Sequence, residues 1–439
     1  MGSSDPTSRR VLSWAFYDWA NSAFATVVMA GFFPVFFKKF WAMDLAATDS
    51  TFWLGLVNSA ASLFIVVSAP LLGAIADQAG AKKRFLIGFT ALGVLSCGAL
   101  FWLSQGQWGI ALAVYLLGVL GFSGSNIFYD ALLVDVALPG SYERVSSLGY
   151  ALGYLGGGLL FALNVTMTLF PEAFGLADSA HAVRVSFLSV ALWWALFAIP
   201  VVLWAPESAR AVMGGWGDAA RGGIRQLATT LGHIRQLRVT FLFLVAYWFY
   251  IDGVDTIVRM AVDFGLAIGF EANSLMVALL ITQFVGFPAA LVFGRLGERW
   301  GAKRSILLAI GIYMLVVLGA SRMERVEEFY LLAVVIGLVQ GGIQALSRAV
   351  FASLIPTGQT AEFFGFFNMI GKFAAVLGPM LVGLAAASTG DSRLSLILIL
   401  LLFLVGAVLL WRADLEAGRA AVSAPFGPEP EDHGETTTN

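Results

Sequence analysis

The feature that most constrains this chain is a succession of apolar runs, each about 20 residues or longer, separated by short polar connections. In hydrocarbon every backbone N–H and C=O must be satisfied within the chain, so such runs fold either as helices or as strands of a closed barrel. Here the runs are continuous rather than alternately apolar and polar, which argues against a barrel. Twelve candidate spans follow, at 12–40, 52–76, 85–103, 108–133, 146–170, 182–204, 239–264, 272–296, 303–321, 326–350, 361–387 and 392–411. Each can cross a core of about 30 Å as a helix, some of them tilted. Charged residues make up 12% of the chain, about half their share in soluble proteins. The expected fold class is an all-α integral membrane protein.

Two of the polar connections repeat one pattern. The sequence Gly73-Ala-Ile-Ala-Asp77-Gln-Ala-Gly80-Ala-Lys82-Lys83-Arg84 lies between the second and third runs. Between the eighth and ninth stands Gly294-Arg-Leu-Gly-Glu298-Arg-Trp-Gly301-Ala-Lys303-Arg304. Gly73 and Gly294, Asp77 and Glu298, Gly80 and Gly301, and Lys82 and Lys303 are all 221 residues apart. A single loop of this kind is a weak signal, whereas two at one offset mark a duplicated unit. The pattern resembles the loop between the second and third helices of each half of major facilitator superfamily transporters. Its glycines permit a tight turn and close helix approach, and its acid can face a helix N-terminus or a basic residue. The expected role is conformational, through contacts made in one state and broken in another.

The duplication suggests two pseudo-symmetric six-helix bundles, at 12–204 and 239–411. Residues 1–11 form a polar N-terminus without the features of a cleavable signal. The longest polar connection, 205–238, carries Arg210, Arg221, Arg225, Arg235 and Arg238 and reads as a linker with room for a surface helix. The stretch 412–439 is acidic and Pro-containing, and is expected to be a disordered tail. With both termini inside, with Arg259, Arg348 and Lys372 set aside as intramembrane and the other span-end charges counted with the adjoining connection, 17 Lys and Arg fall on the inner side and six on the outer. That asymmetry predicts cytoplasmic termini and cytoplasmic signature loops.

Several functions are excluded. The net charge of −2 leaves no nucleic-acid footprint. Cys97 is the single cysteine, and His181, His233 and His433 are scattered through connections and tail, so no metal site is expected. Gly365 to Lys372 has one residue too many between its glycines for a phosphate loop and lacks Ser or Thr after the lysine. With no ATPase module and no cofactor, transport must run on a gradient.

The first run contains Trp14-Ala-Phe-Tyr17-Asp18-Trp19-Ala20-Asn21-Ser22-Ala23-Phe24-Ala25-Thr26, followed by Phe32-Phe33-Pro34. This resembles the signature of one branch of the superfamily, that of the vacuolar amino-acid effluxer of autophagy, and the resemblance extends over nearly the whole chain. It implies a secondary transporter, working by alternating access at a site between the two halves, and suggests amino-acid export. The short loops are more similar to bacterial members, so a bacterial inner membrane is expected rather than a vacuole.

Ionisable groups within spans cost a few kcal/mol each and are functional candidates for that reason. Asp18, Asn21 and Ser22 share one helical face, as do Asp252, Asp255 and Arg259. Trp14, Asp18 and Asn21 correspond to Trp248, Asp252 and Asp255 at an offset of 234, so the polar face itself is duplicated. The fourth span adds Asn126 and Asp130, and the tenth Gln344 and Arg348. By resemblance, the first and fourth helices of each half line the central cavity, and these are the four that carry the polar faces. A carboxylate that exchanges a proton while an arginine approaches and leaves would couple proton movement to opening. Asp18, Asp252 and Asp255, set against Arg259 and Arg348, are the candidates.

A second reading stays open for Asp18, Asp130 and Arg348. Each stands a few residues from the cytoplasmic end of its span, where ion pairs would form a gate without binding substrate. Asp252 and Asp255 lie about 20 Å along their helix, near mid-membrane, and fit a site better. Asp135 fits as a partner of the basic loop. Gly149, Gly153 and Gly157 form a helix-packing stripe. Most aromatics beside the charged faces (Trp14, Tyr17, Tyr247, Trp248, Phe249, Tyr250) are expected to face lipid or its interface.

The reading is a monomeric, non-enzymatic, proton-coupled carrier of a small polar or zwitterionic solute, with an amino acid favoured. Its alternatives are an exporter of amphiphilic drugs or lipid-like molecules, and a non-transporting receptor or scaffold with the same fold.

Overall fold

A computed structural model describes residues 8–207, 216–232, 237–267, 272–320, 323, 325–389 and 392–423. Its elements are α1 (Arg9–Ala23), α2 (Phe33–Phe36), α3 (Ala47–Ala79), α4 (Lys82–Ala99), α5 (Trp108–Val136), α6 (Tyr142–Leu169) and α7 (Ser179–Trp204). There follow α8 (Trp216–Gly232), α9 (Arg238–Ala267), α10 (Ala272–Trp300), α11 (Ala302–Ala320), α12 (Val326–Ala352), α13 (Thr360–Thr389), α14 (Ser392–Arg412) and α15 (Leu415–Ser423). Among the described residues there is no strand. Wide π-helical turns at Phe24–Phe32 and Phe37–Trp41 join α1 and α2 into one helical run, Arg9–Trp41.

All twelve expected spans coincide with helices. By length and hydropathy, however, ten helices among the described residues qualify as membrane-crossing. The number is eleven if the bent pair Leu398–Arg412 and Leu415–Val422 is taken as one span. The described residues thus do not confirm the exact count of twelve. Large apolar side chains such as Val67 and Leu95 point outward, 71% and 72% exposed, as lipid-facing positions must. Pro70, Pro200 and Pro288 sit inside helices, where membrane helices tolerate proline because neighbours satisfy the freed carbonyl.

Local chemistry sets the helix ends. The Ser8 hydroxyl accepts from Val11 N–H at the start of α1, and the Asp178 carboxylate from His181 N–H at the start of α7. Gly80 (φ 54°) and Gly301 (φ 88°), the turn glycines of the repeated loops, both take the left-handed conformation just beyond α3 and α10.

Helices far apart in sequence pack closely: α3 against α13, and α6 against α10 and α12. A Cβ on Gly73 would lie 2.1 Å from the carbonyl oxygen of Ala361, and one on Gly365 2.5 Å from that of Ala69. The backbones of α3 and α13 thus touch without side chains between them. The predicted glycine stripe packs α6 onto α1: added Cβ atoms would meet Trp14 at Gly149, Ser22 at Gly153 and Thr26 at Gly157.

The connections hold helices of their own, as the linker had room for and the tail did not lead one to expect. The 205–238 stretch holds α8, which packs on α3. The tail expected to be disordered from 412 begins instead with α15, whose Leu415 is buried and whose Gly418 packs against Leu354 and Val239. Its apolar side chains find a surface on the helix ends, a partner that composition does not reveal.

Gly73→Ala should lower the thermal unfolding midpoint of the purified protein, by an overpacking cost of about 1–3 kcal/mol. Gly55→Ala, with no atom within 4 Å of the added Cβ, should leave the midpoint unchanged or raise it.

Candidate functional site: a buried guanidinium joining five helices

Arg348 stands four residues before the end of α12 and is 2% exposed. Its Nε donates to Ser146 Oγ (2.9 Å) and one Nη2 hydrogen to the Ser146 carbonyl (3.0 Å). Nη1 donates to Asp130 Oδ1 at 3.0 Å, and Nη2 lies 3.5 Å from Asp18 Oδ2. The rings of Tyr150, Trp14 and Tyr129 surround the guanidinium, with centroids 4.4, 4.9 and 5.3 Å from Cζ. Such contacts favour a desolvated cation.

Each carboxylate is held in turn. The Tyr129 hydroxyl donates to Asp18 Oδ2 (3.1 Å), and Asn368 Nδ2 donates to Asp130 Oδ2 (3.0 Å). Trp14 stacks on Tyr129 at 4.5 Å and donates its indole N–H to that residue's carbonyl. Helices α1, α5, α6 and α12 therefore meet at one side chain, and α13 joins them through Asp130. A full guanidinium between two carboxylates is a buried triad, stable only while all its members are present.

Of the candidates, the structure brings Asp18, Asp130 and Arg348 together. Asn21 donates to Asn126 Oδ1 at 2.6 Å, linking α1 to α5 along the same face. Gln344 is half-buried one turn before Arg348 on α12. The expected opposition of Arg348 to Asp252 and Asp255 is not found, because Arg348 points to the α5–α6 side. Asp252 belongs to none of the ion pairs among the described residues. It is 3% exposed on α9, and its Oδ1 rests against Gly378 of α13 and beside Thr256, in no hydrogen bond of good geometry. Asp255 is half-buried one turn further on. The side chain of Arg259 lies outside the described residues.

Sequence reasoning missed Ser146, Tyr129, Tyr150 and Asn368. The signal was faint, since an uncharged polar residue near a helix end is unremarkable by itself. The aromatic expectation also needs correction. Trp14, Tyr17, Tyr247 and Tyr250 are buried rather than lipid-facing, because each meets a neighbouring helix: Trp14 stacks on Tyr129 of α5, Tyr17 hydrogen-bonds with Thr90 of α4, Tyr247 stacks on Phe367 of α13 and Tyr250 hydrogen-bonds with Ser347 of α12.

The two repeated loops are used differently. Asp77 accepts from the backbone N–H groups of Ala361 (3.1 Å) and Glu362 (2.9 Å), capping the first turn of α13 from another helix. Lys82 donates to Asp135 (2.8 Å) and Thr360 (2.7 Å), so Asp135 is indeed the partner of the basic loop. In the second copy Glu298 is exposed, and Lys303 instead donates to the carbonyls of Trp411 and Ala413 at the end of α14. Gly294 keeps its part, since its Cβ would lie 2.8 Å from that of Ser147 on α6. Arg84 and Arg304 are both exposed.

Residues 45–139 and 135–423 match the family described as "Vacuole effluxer Atg22 like". The chain belongs to that family. It is 39% identical over 400 residues to the MFS-type transporter YxiO of Bacillus subtilis (strain 168), covering 91% of this chain and 93% of that protein. To Autophagy-related protein 22 of Yarrowia lipolytica it is 29% identical over 306 residues, covering 63% of this chain and 51% of the fungal protein. The human organic anion transporter MFSD10 shares the fold at a TM-score of 0.68 and 15% identity, covering 92% of this chain and 99% of that one. The proton:xylose symporter XylE does so at 0.71 and 13%, covering 93% and 98%. This member of the Atg22-like family is thus a multi-pass membrane protein with the major facilitator fold, and its relatives are transporters rather than enzymes.

Arg348→Lys should not be conservative. An ammonium on a flexible stem cannot reproduce the guanidinium fork to Ser146 and Asp130. The variant should melt earlier than wild type, and Arg348→Gln earlier still, by an amount corresponding to about 3–5 kcal/mol. Thermal denaturation followed by loss of monodisperse protein checks both.

Proposed function

We propose that this chain is a secondary active transporter, moving a small polar or zwitterionic solute, an amino acid by preference, by alternating access between two six-helix bundles. The observation that carries the reading is the Asp18–Arg348–Asp130 triad, which ties the first half of the sequence to the second through a few polar contacts. Contacts of that kind can be exchanged between two states of comparable stability. Because the triad lies close to the ends of α5 and α12 and is closed over by Asn368, its role is a gate. The site proper lies deeper, on the duplicated faces with Asn21 and Asn126 on one side and Asp252 and Asp255 on the other.

Coupling to protons is part of the proposal. Asp252, buried and in no ion pair among the described residues, is the group to carry the proton. The relatives named as effluxers and the fold shared with a proton-coupled symporter support export and proton use respectively. With both termini and the repeated loops in the cytoplasm, the triad closes the inward end, and the bacterial relative supports the plasma membrane as location.

Counterflow of radiolabelled amino acids in proteoliposomes, with and without an imposed pH gradient, tests this. Uptake should rise with the gradient, and Asp252→Asn should exchange substrate without responding to it. Silence across the panel from protein that still binds amphiphilic dyes would replace the amino acid with an amphiphile.

A further inference from the structure

Helix α8 lies in the connection between the two halves, yet it is built into the molecule. Its buried residues Ala219, Gly223, Gln226 and Thr230 recur at helical spacing, with Asp218, Arg221 and Arg225 exposed on the other side. A Cβ on Gly223 would come within 2.9 Å of the Ile75 backbone nitrogen, so α8 lies directly on α3. The unusual member of the stripe is Gln226, an amide 8% exposed. Its Oε1 accepts from Gln78 Nε2 on α3, and its Nε2 donates to Glu362 Oε2 on α13. Thr230 also reaches the Glu362 carboxylate.

Glu362 is fully buried and belongs to none of the ion pairs among the described residues. Its own backbone N–H donates to Asp77 on α3. Gln78, Gln226, Glu362 and Asp77 thus close a ring that passes from α3 through α8 to α13 and back. A connection that only tethered two bundles would have no reason to bury an amide and a carboxylate there. Placing both at the one line where α3 meets α13 makes α8 part of that junction.

We infer that α8 is a latch across the α3–α13 junction, with Gln226 and Thr230 as positioning residues that hold Glu362. The end of the molecule carrying the α3–α4 turn then opens only when α8 lets go. This rests on the alternating-access reading, but it assigns to the linker a role that the reading itself does not contain.

The test uses the full chain in lipid nanodiscs, with Cys97 replaced by alanine and no substrate. Spin labels at Leu138→Cys and Thr357→Cys, exposed positions in the α5–α6 and α12–α13 turns, report the separation of the two halves at that end. The native latch should give one short distance. Gln226→Glu sets a carboxylate against Glu362 and should raise the ratio of long to short distances by about tenfold or more, the effect of losing one buried hydrogen bond to a charged group. The exchange Gln226→Glu with Glu362→Gln restores a donor–acceptor pair and should restore the short distance. A folded Gln226→Glu protein with unchanged distances, even if less heat-stable, would show α8 to be mere packing and overturn the latch. So would a double exchange that fails to reverse the single one. Asp77→Asn separates the two hypotheses. Long distances in Asp77→Asn but not in Gln226→Glu overturn the latch alone, whereas their absence from every variant overturns alternating access itself.

Discussion

A guanidinium cannot be buried in a membrane domain unless nearly all its donors are used, and the arrangement of this molecule around Arg348 follows from that requirement. Ser146 takes two of the donors, and Asp130 and Asp18 take the face that remains. Tyr129 and Asn368 then satisfy the carboxylate oxygens. These partners come from α1, α5, α6 and α13, so meeting the needs of Arg348 and its carboxylates fixes the positions of those helices relative to α12. Few polar contacts hold the triad.

A second junction stands on backbone contact rather than charge. Gly73 and Gly365 let α3 and α13 touch, and Asp77 caps the first turn of α13 where bare N–H groups would otherwise be unsatisfied. Duplication supplied the same residue types at Gly294 and Glu298, but only the glycine is used in the equivalent way. Glu298 is exposed, and Lys303 satisfies carbonyls at the end of α14. Equal sequences therefore perform unequal work, because the partner on the far side of each contact has diverged.

Much of this was legible beforehand. Apolar runs located the helices to within a few residues, because hydrocarbon leaves helices as the one solution for continuous apolar segments. The offsets of 221 and 234 exposed the duplication. Charge in an apolar setting pointed to Asp18, Asp130 and Arg348, since such residues must have partners. What was not legible were the uncharged partners, the inward turn of Trp14 and Tyr17, and the docking of α8 and α15. Those depend on surfaces contributed by distant parts of the chain, and no local period encodes them.

The sequence by itself determined that this protein is a duplicated helical membrane protein, and it named the charged residues that must be paired. Only the tertiary structure decided who pairs with whom. Arg348 could have met Asp252 as readily as Asp130 by spacing alone. The choice was made by the packing of α6 against α12, which sets Ser146 beside the guanidinium and directs it toward α5, leaving Asp252 against Gly378 and in no ion pair among the described residues.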